Sequence, residues 1–73
     1  MRYKNFYEVN FVTKAGGYRR WKIHVEAFNA DEAKEIARNM WYTRHLSHMF
    51  NIGSRRLKDT EEFLYHSFKE VVA

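Results

Sequence analysis

Two alternating runs flank a Gly pair, and the parity of their apolar residues leaves few ways to fold the first 28 residues. In the first run Tyr3, Tyr7, Val9 and Phe11 alternate with Lys4, Glu8 and Asn10. In the second, Trp21, Ile23, Val25 and Ala27 alternate with Arg20, Lys22, His24 and Glu26. A period of two marks a strand with one buried face. Directly opposed residues of an antiparallel pair share a face, so the two odd-numbered apolar sets meet only if paired numbers add to an even sum. A two-residue Gly16-Gly17 loop sets Phe11 against Lys22 and fails this test. A three-residue loop, Ala15-Gly16-Gly17, pairs Lys14 with Tyr18, Phe11 with Trp21, Val9 with Ile23 and Tyr7 with Val25. A five-residue loop preserves the same faces. Glycine near the end of such a loop takes a positive φ without a Cβ clash. An antiparallel β-hairpin over residues 3–28 is the expected result.

Helical signals follow. Asn29 is a good N-cap, Glu32 stands three residues later, and Asp31 adds a second acid to the first turn. Ala33, Ile36, Ala37, Met40 and Trp41 then recur at helical spacing, while Lys34, Glu35, Arg38 and Asn39 form a wet face. This predicts a helix from residue 30 to at least residue 44, laid over the Trp21/Ile23/Val25 face of the hairpin. Residues 45–58 admit two readings: a continuation of the helix through Leu46, Met49 and Phe50, or a short third strand beginning at residues 49–52. Gly53 and Ser54 are expected to end either pattern. Asp59-Thr60-Glu61-Glu62 repeats the capping logic, and Phe63, Leu64, Phe68, Val71 and Val72 follow it. A second helix over about residues 60–72 is expected. The fold class is therefore α+β: an antiparallel hairpin, with room for a short third strand, packed against one long helix and a C-terminal helix. A chain of 73 residues makes one domain, 1–73, near the lower limit for folding on its own core. Part of its apolar surface is open to a partner or a second copy.

Composition narrows the function classes. An apolar share of 45% with 18% aromatic residues argues against disorder. The absence of Cys removes disulfides, thiolate metal sites and Cys nucleophiles, and it suits a reducing compartment. No apolar run approaches the ~20 residues of a membrane span, and the N-terminus lacks a signal-peptide core. A cytoplasmic protein with no membrane contact is expected.

The net charge of +4 is unevenly placed. Residues 1–28 hold Arg2, Lys4, Lys14, Arg19, Arg20 and Lys22 against only Glu8 and Glu26, so the whole excess lies on the hairpin. The rest of the chain is balanced. An acidic partner for the hairpin follows. Its even-numbered face interleaves Lys4, Lys22 and Arg20 with Phe6 and Phe28, the mixture that supplies cations to phosphates and rings to unpaired bases. Lys14 and Arg19 at the turn extend it, and Arg55 and Arg56 form a second basic cluster with Lys58, opposed by Asp59, Glu61 and Glu62. Glu8 and Glu26 lie in the same face, with Glu8 opposite His24, so an ordinary solvated sheet face with cross-strand ion pairs is the competing reading. His24 beside Lys22, Arg20 and Glu8 also has the makings of a small ribonuclease centre. His45 and His48 have the spacing of a two-His metal site, with His66 or His24 as a third ligand, although no local signal supplies one. The binding candidates are Lys4, Lys14, Arg19, Arg20, Lys22, His24, Arg55 and Arg56. No catalytic residue, metal or cofactor is expected.

Residues 25–37, V-E-A-F-N-A-D-E-A-K-E-I-A, resemble the strand-to-helix joint of small phage and mobile-element accessory proteins, some anti-CRISPR proteins among them. The likeness covers 13 residues and no active-site motif. It implies a non-enzymatic inhibitor that binds a host protein or nucleoprotein complex acting on nucleic acid. The alternatives are direct DNA or RNA binding and, last, a toxin-type ribonuclease. Open edges on both hairpin strands also leave room for a homodimer.

Overall fold

The computed structural model describes residues 3–44, 47–64 and 66–71. The chain runs β1 (Asn5–Thr13), β2 (Arg19–Ala27), α1 (Ala30–Arg44), β3 (Phe50–Arg56) and β4 (Lys69–Val71). The strands form one antiparallel sheet in the order β3-β1-β2-β4, with the hairpin at its centre.

The parity argument sets the register. Phe11 pairs with Trp21, Val9 with Ile23, Tyr7 with Val25 and Thr13 with Arg19. The Gly17 N–H donates to the Lys14 carbonyl over 3.2 Å, and the loop between Lys14 and Tyr18 turns on Gly16 (φ 74°) and Gly17 (φ 108°). Both are left-handed conformations that favour glycine.

The odd-numbered face is the core. Val9, Ile23, Ala27, Ala33 and Ala37 are fully buried, with Tyr7 and Val25 nearly so. The two alanines let α1 lie close to the sheet. A second cluster of Phe11, Trp41 and Met49 adjoins it. Trp41 is the hub: its ring lies 4.9 Å from Phe11, 5.2 Å from Trp21 and 5.0 Å from Phe68. Its indole N–H donates to the Ser47 carbonyl at 2.9 Å, which removes the cost of burying that donor. The start of α1 is closed as the sequence implies. The Asn29 side-chain oxygen accepts the Glu32 N–H (2.8 Å), and the Glu32 carboxylate accepts the Phe28 N–H (3.0 Å).

The central segment resolves in favour of a strand. Gly53 and Ser54 do not end β3 but lie within it, with Gly53 opposite Asn10. One extra residue of β3 is accommodated where the register shifts between Asn10 and Val12, and Asn51 there has φ 51°. Asn is among the few non-glycine residues that accept this conformation readily.

The expected C-terminal helix does not form: the described residues of 60–71 contain no helix and end in the strand β4. Its capping signal is real but local. The Glu61 N–H donates to the Lys58 carbonyl and the Lys58 N–H to the Glu61 carboxylate, closing one turn. Beyond that turn, longer-range partners outcompete a short helix, which is marginal without tertiary support. Phe63 packs on Phe6 at 4.9 Å, and the Leu64 N–H donates to His24. Phe68 enters the core on the opposite face, 5.6 Å from Phe11. The chain thus starts on one face of the sheet, passes around the edge of β2 and pairs with it through β4. The expectation of open hairpin edges is also corrected, since β3 covers β1 and β4 covers β2 over residues 20–22. No helix among the described residues is long and apolar enough to cross a membrane.

Candidate functional site: two halves of the even-numbered face

The face opposite α1 carries the even-numbered residues of β1 and β2, and the register extends it in rows across all four strands. One row joins Arg55, Glu8 and His24; the next joins Gly53, Asn10, Lys22 and Lys69; a third joins Phe50, Val12, Arg20 and Val71. Lys14 and Tyr18 lie beyond the third row, at the turn.

The first row is closed. His24, read as a member of an accessible basic surface, is buried (5% exposed). Its Nδ1 accepts the Leu64 N–H at 3.1 Å, so Nε2 carries the hydrogen and donates to Glu8 Oε2 at 3.0 Å. The Phe63 ring stands 5.7 Å from the imidazole. Arg55 reaches Glu8 through Nε (3.4 Å) and grips Glu61 with both terminal nitrogens (3.0 and 2.9 Å). Residues 57–64 are held over this half as a strap. Burial works to raise the Glu8 carboxyl, but the His24 hydrogen bond and the charges of Arg55 and Lys22 outweigh it and hold Glu8 below its ordinary range. The two Arg55 hydrogen bonds, with help from the Lys58 N–H, pull Glu61 down to about 2, and the same carboxylates raise Arg55. His24 is therefore fastened inside the fold, and Arg55, though half-exposed, is held by two carboxylates at its surface.

The second and third rows are open. Asn10, Arg20, Phe50, Lys69 and Val71 are exposed and Lys22 is half-buried. These rows hold Arg20, Lys22 and Lys69 with no Asp or Glu, and Lys14 adds a fourth cation. Its Nζ lies 4.7 Å from the Phe50 ring centre and 5.4 Å from that of Tyr18, a cation within reach of two exposed rings. A groove of about 420 Å³ runs between Lys14, Tyr18, Arg20 and Phe50, over Val12 and Asn51. A second depression of about 360 Å³ shares Val12, Arg20 and Asn51 and continues toward Val71. The two make one trough from the hairpin turn to β4.

The eight candidates thus separate. Lys14, Arg20 and Lys22 come together on the open half. Arg19, opposite Thr13, falls on the other face, so it does not extend the patch. Lys4 sits at the far end of the hairpin with its Nζ 5.4 Å from the Phe28 ring centre, and it lines a separate groove with Arg56, Lys58, Asp59 and Glu61. Three open-half residues escaped the sequence reading: Lys69, assigned to a helix; Phe50, assigned to an ambiguous segment; and Tyr18, seen only as the partner of Lys14. The even-sum rule already placed Tyr18 beside Lys14 on this face, and that was the available signal.

His45 lies outside the described residues, so the proposed His45/His48 pair is not in view. Among the described residues no cluster of three His, Asp or Glu side chains is arranged to hold a metal. No protein-family model matches the chain, and no curated protein or solved structure matches it significantly.

Proposed function

We propose that the protein is a non-enzymatic binding module that holds nucleic acid, alone or as the exposed part of a nucleoprotein complex, on the open half of its sheet. The observation that supports this reading is the composition of the open rows: Lys14, Arg20, Lys22 and Lys69 gather on one accessible surface that carries no carboxylate. Such a surface attracts phosphates and releases their counterions, a sequence-independent source of affinity. The engagement of both His24 ring nitrogens in holding the strap favours a structural role for the one histidine that resembled a catalytic base. The likeness of residues 25–37 to phage and mobile-element accessory proteins supports a use as an inhibitor that occupies a host nucleic-acid-targeting complex.

The test is the double charge reversal Arg20→Glu/Lys22→Glu, read by anisotropy of a labelled oligonucleotide at low salt and by a thermal melt. Binding is expected to vanish while a cooperative melt is retained. In the native protein, affinity is expected to fall with salt with a logarithmic slope of about −3 for four phosphate contacts. Undiminished binding by the double variant, or affinity indifferent to salt, overturns the proposal.

A further inference from the structure

We infer that the nucleic acid taken by this face is single-stranded, its bases stacked on Tyr18 and Phe50 and its backbone led along Arg20, Lys22 and Lys69. The inference rests on the reading above and adds to it the class of ligand.

Four observations point there. The first is the rings. Tyr18 is 77% exposed and Phe50 39%, both within reach of the Lys14 ammonium. Cations alone suffice for any polyanion, but within a nucleic acid an exposed ring can be stacked upon only by a base that is not already stacked. Second, the trough runs across the strands, and neighbouring positions along each row that lines it stand about 4.8 Å apart. Its floor is apolar and small (Val12, with Val71 at the far end), so flat bases can lie on it while phosphates meet the surrounding cations. Third, Asn10 and Asn51 are exposed on or beside the trough and offer amide donors and acceptors to base edges. The register shift in β3 and the positive φ of Asn51 bring that residue to the groove wall, as bulges beside binding sites often do. Fourth, the only helix among the described residues packs on the opposite face. This face therefore has no helix to insert into a major groove. A duplex, its bases already stacked, would meet the cations without stacking on either ring. An acidic peptide would do the same.

The experiment compares one single strand of about a dozen nucleotides, its duplex and polyglutamate, each titrated against the whole chain at low salt. The native protein is expected to bind the single strand at least about tenfold more tightly than either of the others. Tyr18→Ala and Phe50→Ala should each weaken single-strand binding about tenfold, the range given by loss of one stacked base, and leave duplex binding unchanged. Tyr18→Phe and Phe50→Trp, which keep a ring, should restore it. Both positions are exposed, and thermal melts of the variants verify folding. If duplex or polyglutamate binds as tightly as the single strand, or the alanine variants bind like the native protein, the single-strand inference falls. In that case loss of binding in Arg20→Glu/Lys22→Glu still upholds the polyanion reading. Should none of the three probes bind, both readings fall together.

Discussion

The closed and open halves of the even-numbered face are built from the same kinds of residue and put to opposite uses. Each has cations, aromatic rings and amide or imidazole groups on adjacent rows of one sheet. The closed half also has carboxylates. Glu8 and Glu61 bind Arg55 and, through His24, the backbone of Leu64, so that charge and hydrogen-bonding capacity are consumed by contacts within the chain. The open half lacks them: Lys14, Arg20 and Lys69 are exposed there and Lys22 is half-buried, with no acid in their rows. What separates a structural patch from a binding patch here is the placement of two acids, each of which arrives from a different part of the chain.

Three experiments probe that division. Replacing His24 by Ala should have the largest effect, a loss of about 3 kcal/mol in denaturant unfolding, because it empties a buried site and orphans both the Leu64 N–H and one side of Glu8. A loss below about 0.5 kcal/mol would mean that the strap is not fastened there. Acid should act next. The folded-state pKa of Glu61 lies at about 2, against an ordinary 4.5, and that of Glu8 is also lowered. A depressed folded pKa contributes stability above the ordinary value and loses it as pH falls toward the folded one. Stability should therefore decline between about pH 4.5 and pH 2, and the protection of the Leu64 amide, measured against its intrinsic exchange rate at each pH, should fall in step. In Glu8→Gln part of this acid dependence should disappear; an unchanged profile would remove Glu8 from the latch. The smallest effect on stability belongs to the open half. Arg20→Glu should shift unfolding by no more than about 0.5 kcal/mol, the usual range for exposed positions. A larger loss would show that Arg20 is part of the scaffold, and the contrast between the halves would fail.

The sequence made one side of this molecule readable and left the other obscure. Register followed from parity because each strand of the hairpin carries its own alternation, and the helix from Asn29, Glu32 and the Ala33/Ala37/Trp41 stripe because all its signals are local. The closed half depends on pairings of another kind. His24 meets Leu64 across 40 positions, and Glu8 meets Arg55 across the sheet. No periodicity announces such contacts. Asp59 to Glu62 did announce a helix start, and a single turn forms there, but Phe63 packs on one face of the sheet and Phe68 on the other, and a helix laid against a single face cannot serve both. With that segment misread, Lys69 could not be placed beside Lys22, and the open half was seen only through Lys14, Arg20 and Lys22.

The route of the strap also orders events in folding. The contacts of Leu64 and Phe68 with the hairpin join partners far apart in the chain, so they close later than the hairpin turn. Until they form, Phe11 and Trp41 lack Phe68, and His24 lacks the Leu64 N–H. A chain caught at that stage exposes an aromatic seam and an uncovered edge of β2, and is prone to associate with itself.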